Sequence, residues 1–428
     1  MRVYVESYGC SQNQGEGAGI ARDLAARGHT VSRDPQTADV GILVTCGVIG
    51  PTESRMVRRW NALAARIPRV VVTGCLVPLR TDLMSGPARE RTTFVPIREQ
   101  DHLPALLDSW SLVSPASALD PGASSTDSVA EEVVIAQGCT SGCSYCFSRL
   151  ARGRLASVPM AAVVRRVGEA VERGAREIRL TGLDTAAWGE DLLTPERLPE
   201  LVRATGSVPG DFRMRVGMMS PQSLEPHRTR YFETLGGDRT YHFLHLPVQS
   251  GSDAVLERMR RGYTSELFLQ QVEEARRKVP DLHLATDLIV GFPGETEEDF
   301  ERTEELLERA EPETVNVTRF SARPGTTAAR MRPVGPRVAK RRSRALAETR
   351  QRIARRRLER WIGEEAVGRV LEYGPDGSSV ARLSNYLPVV LSERPPLGSE
   401  VRLRVDGART TYLLGSLVSA ASKYRSHP

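Results

Sequence analysis

The sequence predicts an α/β protein with three parts: a parallel α/β sheet domain over residues 1–108, a partial (β/α)6 barrel over residues 131–360, and a small antiparallel, OB-like β-barrel over residues 361–428. Three observations lead to this prediction. Strand and helix patterns alternate in the first hundred residues, and they alternate six more times after residue 130. After residue 361 the pattern changes to short Val-, Leu- and Arg-rich runs split by Gly and Pro.

The composition is that of an ordinary globular protein. Of the 428 residues, 40% are hydrophobic and 26% are charged, which excludes collagen-like, wholly disordered and coiled-coil chains. No stretch approaches the roughly 18 apolar residues of a membrane span, and Met1 leads directly into a strand-like segment, VYVES. We therefore expect a cytoplasmic protein without a membrane partner.

Three strand-like segments of the first part run into cysteines. VYVES, DVGILVTC and RVVVTGC lead to Cys10, Cys46 and Cys75, with helical patterns between them. A reduced cytoplasm argues against disulfides, and free cysteines are most often buried packing residues. Ligands of doubly wound sheets, however, bind at the edge where parallel strands end. Because all three cysteines are at that edge, they can be interpreted either as a shared ligand site or as buried packing residues.

The glycines that follow Cys10 offer a rival interpretation. In NQGEGAG, Gly15, Gly17 and Gly19 follow a strand and open a helix, as in a dinucleotide-binding fingerprint. The third glycine comes two residues after the second instead of three. The spacing therefore argues against a dinucleotide site.

The second part is predicted to begin after a linker. Residues 109–130 are rich in Ser, Ala, Pro and Gly and lack a period, which is typical of a linker. The six strand segments that follow are EVVIAQG, EIRLTGLD, FRMRVGMMS, YHFLHLPVQS, HLATDLIVGFPG and TVNVTRFS. Six parallel units with helices between them predict an open, partial barrel.

One segment carries the basic character of the chain. The net charge is +6, but residues 330–360 hold 13 Lys and Arg against two acids, so the rest of the chain sums to −5. A helix over 337–361 with this composition cannot pair with itself, which favours phosphate binding over a solvated, salt-bridged surface. We expect Arg355, Arg356 and Arg357 to bind RNA phosphates.

The terminal barrel is predicted to share in RNA binding. Its strand segments are EAVGRVLEYG, SVARLSNYLPVVL, EVRLRVDG and RTTYLLGSLV. OB-like barrels present aromatic side chains on which bases stack. Tyr386 is the main candidate, with Tyr373 and Tyr412 beside it.

The strongest chemical signal is QGCTSGCSYCFSRLARG, which places Cys139, Cys143 and Cys146 at CxxxCxxC spacing. Soft thiolates suit an iron-sulfur cluster, and three of them leave one iron open for reaction. The alternative is a zinc knuckle, but closed zinc sites use four ligands and no fourth Cys or His follows at suitable spacing. An iron-sulfur cluster is the favoured interpretation.

This motif, with Tyr145 just before the third cysteine, resembles that of the radical S-adenosylmethionine (SAM) superfamily. The resemblance implies a 4Fe-4S cluster that binds SAM through its open iron and generates a 5′-deoxyadenosyl radical. It also implies that residues at later strand ends contact SAM, although each has an ordinary role as a strand-end polar residue or a turn glycine. These residues are Thr181, Gly182, Asp184, Gln249, Ser250, Asp287 and Gly291.

The N-terminal cysteine contexts, SYGCSQN, VTCGVIGPTESR and VTGC, resemble those of the methylthiotransferases. In that family the corresponding cysteines, here Cys10, Cys46 and Cys75, hold a second 4Fe-4S cluster that carries the sulfur. The resemblance covers nearly the whole chain and implies that the terminal barrel is an RNA-binding TRAM domain. It also implies two molecules of SAM per turnover, an external electron donor and an external sulfur source.

Within the family, phrases such as YGCSQNQG, SRLARGRLASVP, VGMMSP and HLPVQSGSD resemble the archaeal and eukaryotic branch. That branch adds a methylthio group to carbon 2 of N(6)-threonylcarbamoyladenosine in the anticodon stem-loop of tRNA, at position 37. The partner is then RNA and not DNA. GEGAG after NQ departs from the branch pattern, so the resemblance implies no substrate-contact residues in this loop beside Cys10.

Chemistry agrees with this assignment, since the C–H bond at carbon 2 of adenine is beyond side-chain acids and bases and calls for a cofactor. Two enzyme alternatives act on isopentenyladenosine in tRNA or on an aspartate of a ribosomal protein. A further alternative is an iron-sulfur electron carrier or RNA-binding redox sensor without turnover. Cleavage of SAM separates enzyme from carrier. His242 and His245 are expected to pack or to support other residues of the site, and not to bind a metal, since the cysteines suffice for both clusters.

Overall fold

The computed structural model describes residues 1–110 and 129–418. The predicted linker, 109–130, lies almost entirely outside the described residues. A helix runs to Trp110, and the next strand starts at Ala130. Among the described residues, no helix has the length and apolar character needed to cross a membrane.

The first domain is a five-stranded parallel sheet with helices on both faces. Its strands are β1 (Arg2–Ser7), β2 (Thr30–Ser32), β3 (Val40–Thr45), β4 (Arg69–Gly74) and β5 (Thr92–Phe94), in the order β2-β1-β3-β4-β5. Its helices are α1 (Ser11–Ala26), α2 (Gly50–Ala64), α3 (Val77–Arg80) and α4 (Leu103–Trp110). All of β3 is buried, as expected for a central parallel strand covered on both faces.

The glycines of NQGEGAG lie inside α1 and serve packing. A Cβ at Gly17 would lie 1.7 Å from Ser7 Oγ, and a Cβ at Gly15 would lie 3.0 Å from the Cβ of Glu132. Gly17 therefore lets α1 approach the sheet of its own domain, while Gly15 lets it approach the next domain. This role accounts for the two glycines without a dinucleotide.

The central domain is an open six-stranded parallel barrel, as predicted. Its barrel strands are β6 (Ala130–Val134), β9 (Glu177–Thr181), β10 (Arg213–Val216), β11 (Phe243–His245), β12 (His283–Val290) and β13 (Thr314–Arg319), and a small antiparallel ribbon consists of β7 (Ala136–Gln137) and β8 (Ala156–Ser157). Two three-stranded sheets, β6-β9-β10 and β11-β12-β13, are linked by a bridge between Met214 and Thr240. Strand order therefore follows chain order, which brings all strand C-terminal ends to one mouth.

Nine α-helices accompany the described part of this domain, and the last and longest of them closes it. They are α5 (Phe147–Arg152), α6 (Met160–Glu172), α7 (Leu198–Gly206), α8 (Pro221–Leu224), α9 (Arg228–Leu235), α10 (Asp253–Arg258), α11 (Ser265–Lys278), α12 (Glu297–Ala310) and α13 (Pro336–Glu359). A capping box between Thr296 and Asp299 starts α12. The bounds of α13 differ by one and two residues from the predicted 337–361.

The third domain is a closed five-stranded barrel with the order β14-β15-β16-β18-β17. Its strands are β14 (Glu365–Tyr373), β15 (Ser379–Leu383), β16 (Pro388–Leu391), β17 (Glu400–Ala408) and β18 (Leu413–Leu417). The predicted small antiparallel barrel is confirmed, and one of its strand pairs, β16 with β18, is parallel. Such a pair closes a short barrel whose other pairs are antiparallel.

This terminal barrel docks at the end of the central barrel where the strands begin. Arg369 pairs with Asp211, just before β10, at 2.6 Å, and Asn385 donates to the carbonyl of Asp281, just before β12, at 3.2 Å. Both contacts lie opposite the mouth. The described terminal barrel and the cysteine motifs are thus at opposite ends of the central domain.

Candidate active site

The N-terminal cysteines meet at the edge predicted for them. Cys46 and Cys75 directly follow the neighbouring strands β3 and β4, and Cys10 precedes α1 after β1. Asn13 lies between two of them, with its Oδ1 3.9 Å from Cys10 Sγ and 4.0 Å from Cys75 Sγ. Gly9 has φ of +110°, and a Cβ there would lie 2.9 Å from Cys46 Sγ. Three strand ends therefore place three thiols around one point, which we call the N-terminal triad.

Burial governs the chemistry of these thiols. It raises the pKa of Cys46, and it raises the pKa of Cys75 to about 12. Thiols with such pKa values are poor nucleophiles at neutral pH, whereas ligation by a metal removes the proton outright. The arrangement thus suits metal-bound thiolates better than a nucleophilic cysteine.

The CxxxCxxC loop forms a second set of three thiols, which we call the radical triad. Cys139 follows β7 and Cys146 precedes α5. Each sulfur accepts one N–H: Cys139 from the backbone of Ser141 at 3.3 Å, Cys146 from the backbone of Arg149 at 3.3 Å, and Cys143 from Nη1 of Arg261 at 3.1 Å. Burial raises the pKa of Cys139, and that of Cys146 to about 12, and the N–H donors offset this only in part, so these donors support thiolates that a metal has deprotonated.

The donor chemistry of both triads fits 4Fe-4S clusters. Within the described residues, no three His, Cys, Asp or Glu side chains are arranged to hold a single metal ion. The fit rests instead on the donors themselves: two sets of three soft sulfurs and N–H groups that point at them. Cys10, Cys46 and Cys75 would hold one cluster, and Cys139, Cys143 and Cys146 the other.

The residues predicted to contact SAM lie at successive strand ends around the mouth. Thr181 ends β9 and Gly182 follows it, Gln249 and Ser250 follow β11, and Gly291 follows β12. Gln249 adopts φ of +72°. A Cβ at Gly291 would lie 2.7 Å from the Cβ of Ala339 in α13, so packing already requires a glycine there. Contacts of these residues with SAM remain predictions, as does the role of Tyr145, whose ring packs edge-on against Phe292.

Two predicted acidic contacts already have protein partners. Asp184 is buried and accepts hydrogen bonds from the Ser220 backbone at 2.9 Å and from Ser223 Oγ at 2.8 Å. Burial pushes the pKa of Asp287 up, but hydrogen bonds from His245 and from Asn316 bring it below its usual value. The structure therefore shows both carboxylates shaping the mouth. His245, predicted to pack or to support other residues, hydrogen-bonds to Asp287 at 3.1 Å.

A cavity of about 970 Å³ opens beside the radical triad. Its lining includes the loop between Cys139 and Cys143 and the loop 260–264 with Arg261 and Tyr263. Nε of Arg261 donates to the Tyr263 hydroxyl at 2.9 Å, and the same side chain contacts Cys143. The cavity is large enough for a nucleoside-sized ligand next to the thiols.

Comparison with known proteins identifies the family. A family model described as the Radical SAM superfamily matches residues 133–307, and one described as Uncharacterized protein family UPF0004 matches residues 2–93. The probable threonylcarbamoyladenosine tRNA methylthiotransferase of Methanothermobacter thermautotrophicus is 37% identical over 97% of this chain and 99% of its own length. This chain belongs to the threonylcarbamoyladenosine tRNA methylthiotransferase family.

Other similarities agree with membership of this methylthiotransferase family. The Homo sapiens threonylcarbamoyladenosine tRNA methylthiotransferase is 30% identical over 99% of this chain and 75% of its own length. The radical S-adenosylmethionine methyltransferase TsrM from Kitasatospora setae, a solved structure, matches with a TM-score of 0.57 at 12% identity over 76% of each chain. That last similarity concerns the fold alone and supports the barrel architecture.

Two of the predicted RNA contacts of this methylthiotransferase lie in the interior. Tyr386 is 8% exposed, its hydroxyl donates to Glu177 at 2.8 Å, and its ring packs edge-on against Tyr241. Arg357 is 9% exposed and its guanidinium pairs with Glu313. The predictions for Tyr386 and Arg357 are therefore wrong, because neither side chain can reach a base or a phosphate.

The other two predicted RNA contacts are exposed but paired. Arg355 pairs with Glu359 and Arg356 with Glu311, each at 2.6 Å. The count of two acids within residues 330–360 missed Glu311, because it lies just after α12, beside α13 in the fold. On the described chain, three other exposed cations of α13, Arg337, Lys340 and Arg344, have no ion pair.

Sequence patterns missed the polar residues that surround the N-terminal triad. Asn13, Glu16 and Arg152 meet at Cys75, although Arg152 is 136 residues from Glu16. The phrases SYGCSQN and SRLARG that contain Asn13 and Arg152 carried a resemblance, but nothing in the spacing joined them. Only the fold brings the two phrases together.

Proposed function

We propose that this protein adds a methylthio group to carbon 2 of N(6)-threonylcarbamoyladenosine in tRNA. The observation that carries the proposal is the pair of cysteine triads connected by one short helix: α5 begins next to Cys146 and ends at Arg152, whose Nε lies 3.2 Å from Cys75 Sγ. Clusters that only carry electrons are usually held by four cysteines, whereas each triad here supplies three and leaves one iron open. Two adjoining sites suit a reaction that combines a radical with the transfer of sulfur.

Each triad would hold one 4Fe-4S cluster, and SAM would bind beside the radical triad. When bound, these groups supply the radical chemistry that an unactivated C–H bond requires, with two molecules of SAM per turnover, and the sulfur. The chain itself holds the thiolates in place through Ser141, Arg149, Arg261 and Arg152. Cys139 and Cys75 are buried, so the protein shields at least one sulfur of each triad from solvent. Electrons and sulfur would come from external donors in the cytoplasm.

The tRNA of cells with and without the gene tests this function. Digested tRNA from the wild type should contain the 2-methylthio derivative of threonylcarbamoyladenosine. Digested tRNA from the deletion strain should contain only threonylcarbamoyladenosine without the methylthio group. Liquid chromatography with mass spectrometry separates the two. An unchanged nucleoside profile in the deletion strain contradicts the proposal, whereas loss of a methylthiolated isopentenyladenosine assigns the alternative substrate.

We propose that the RNA backbone binds to the N-terminal half of α13, which lies at the mouth of the central barrel and is called its mouth half. Ala339 packs against Gly291 at the mouth, whereas Arg357 pairs with Glu313 just before β13, so α13 runs from the mouth to the opposite end. Its unpaired cations, Arg337, Lys340 and Arg344, recur at helical spacing on one face of the mouth half. Phosphates held there would bring a nucleotide to the mouth. At 24 residues, α13 spans about 36 Å, enough to connect the mouth with the terminal barrel.

Neutralising these three cations should weaken tRNA binding and its dependence on salt. The variant R337Q/K340Q/R344Q is expected to lower the slope of log affinity against log salt by about two to three, since each lost phosphate contact removes roughly 0.7 to 0.9. The matched control, R352Q/R355Q/R356Q, removes the same charge from paired cations of the same helix. It should lower the slope by less than about one. A larger effect in the control places the RNA on the other half of α13.

A further inference from the structure

We propose that Arg152 is a positioning residue that holds Cys75 by a directed N–H···S bond and thereby sets the redox properties of the cluster on the N-terminal triad. The inference rests on the proposed function, because it takes the N-terminal triad to be a cluster site. Arg152 belongs to the central domain and Cys75 to the first domain. The contact therefore joins the two domains at a thiol.

The guanidinium of Arg152 occupies a site in which every donor is used. Nε donates to Cys75 Sγ at 3.2 Å, and Nη2 donates to Asn13 Oδ1 at 2.5 Å and to Glu16 Oε2 at 2.9 Å. Nη1 donates to Gln137 Oε1 at 2.8 Å and to the other oxygen of Glu16. An arginine has five N–H donors in a fixed fork, so all five are engaged and the direction of Nε is determined. A lysine has three donors and no fork.

Charge at this site is balanced within the protein. The Arg152 side chain is fully inaccessible, and that of Glu16 is 2% exposed, so the two form a buried ion pair. Gln137 also donates to Glu16, at 2.6 Å from its Nε2. Because Glu16 compensates the charge of Arg152, the N–H that points at Cys75 is a hydrogen bond without a large net charge beside it. Hydrogen bonds to the sulfurs of a cluster are one of the features that set its reduction potential.

The residues around Arg152 also fix the strand ends that carry the cysteines. Asn13 accepts from Arg152 and donates through Nδ2 to the carbonyls of Tyr8, at 2.6 Å, and Thr45, at 3.0 Å. Thr45 directly precedes Cys46, and Tyr8 lies two residues before Cys10. A change at Arg152 would thus affect the whole N-terminal triad through the side-chain amide of Asn13.

Helix α5 connects this site to the radical triad. Cys146 is its N-cap, with Sγ accepting from the Arg149 backbone, and Arg152 is its last residue. Six residues of helix rise about 9 Å. One rigid turn and a half therefore sets the spacing between the two groups of thiols.

A second buried contact between the domains offers a matched control. Arg323, which follows β13, pairs with Glu53 of α2, and its guanidinium stacks over Phe147 at 4.6 Å. Both side chains are buried, but no hydrogen bond joins Arg323 to a thiol in the described chain. If Arg152 served only to join the two domains, removing the Arg323–Glu53 pair should affect the cluster as much as removing the Arg152–Glu16 pair.

The test uses the C139A/C143A variant, in which only the N-terminal triad retains three thiols while Cys146 still starts α5. In that background we compare R152K, the charge-neutral pair E16Q/R152M and the control pair E53Q/R323M. The readouts are iron per chain and the midpoint potential of the remaining cluster, followed by electron paramagnetic resonance during redox titration. Neither readout requires activity of the loaded enzyme.

We expect E16Q/R152M to lower the midpoint potential by about 59 mV, a tenfold change in the ratio of reduced to oxidised cluster for one electron. R152K should fall between this variant and the background, and E53Q/R323M should match the background. An unchanged potential in E16Q/R152M overturns the proposal. If E16Q/R152M loses its iron, retention of iron by E53Q/R323M supports the specific role, and equal loss in both pairs overturns it. A background without iron contradicts the assignment of the triad itself.

Discussion

Replacing Cys139, Cys143 and Cys146 together with alanine is expected to halve the iron of the protein, from about eight to about four atoms per chain, because each triad holds one four-iron cluster. The sulfurs of the radical triad are held by Ser141, Arg149 and Arg261, none of which contacts the N-terminal triad. The N-terminal triad should therefore keep its cluster. Iron and acid-labile sulfide, measured after anaerobic reconstitution, give the count.

The complementary variant, C10A/C46A/C75A, provides the control. It should also retain about four irons, and a variant that lacks all six cysteines should retain none. Iron that does not fall in either triple variant contradicts the assignment of the clusters. Zinc in place of iron contradicts it as well.

Loss of the N-terminal triad is expected to separate radical generation from sulfur transfer. With C10A/C46A/C75A, transfer of the methylthio group to tRNA should fall to background, while cleavage of SAM to 5′-deoxyadenosine continues at a reduced rate. The reason is that the cavity and the radical triad lie in the central domain, whereas Cys10, Cys46 and Cys75 lie in the first. Chromatography of 5′-deoxyadenosine and of digested tRNA from the same reaction measures both activities.

The reciprocal variant sharpens this comparison. C139A/C143A/C146A should abolish both activities, because no radical is formed. If C10A/C46A/C75A methylthiolated tRNA at the wild-type rate, the N-terminal triad would have no part in sulfur delivery. Loss of all SAM cleavage in C10A/C46A/C75A together with a normal iron count would instead show that the radical site depends on the first domain.

Much of the fold could be predicted from sequence because its central strands are apolar runs between helical patterns. VGILVT and RVVVTG became the buried strands β3 and β4, and HLATDLIV became β12. The three-residue strands TVS and TTF, which became β2 and β5, were missed. They are short, partly polar edge strands, and their place depends on the register of the neighbouring strand, which no local pattern encodes.

Only those parts of the site that belong to short continuous motifs or to strand ends could be predicted from the sequence. The two cysteine sets follow from spacing and from strand ends, whereas the contact of Arg152 with Cys75 depends on how two domains pack. Charge counting failed for the same reason. The acids that pair with Arg356 and Arg357 come from the end of α12 and the turn after it, beside α13 in space and more than 40 residues away in sequence. The number of unpaired cations on a helix thus depends on the acidic residues of the elements that pack beside it.

Hydrogen transfer from the substrate tests the central claim most directly. A tRNA that carries threonylcarbamoyladenosine with deuterium at carbon 2 is incubated with the reconstituted enzyme, SAM and a reductant, and the 5′-deoxyadenosine is analysed by mass spectrometry. The proposed function predicts one deuterium in 5′-deoxyadenosine for each methylthio group that appears in tRNA. Methylthiolated tRNA with unlabelled 5′-deoxyadenosine, or labelled 5′-deoxyadenosine without methylthiolation, would contradict it.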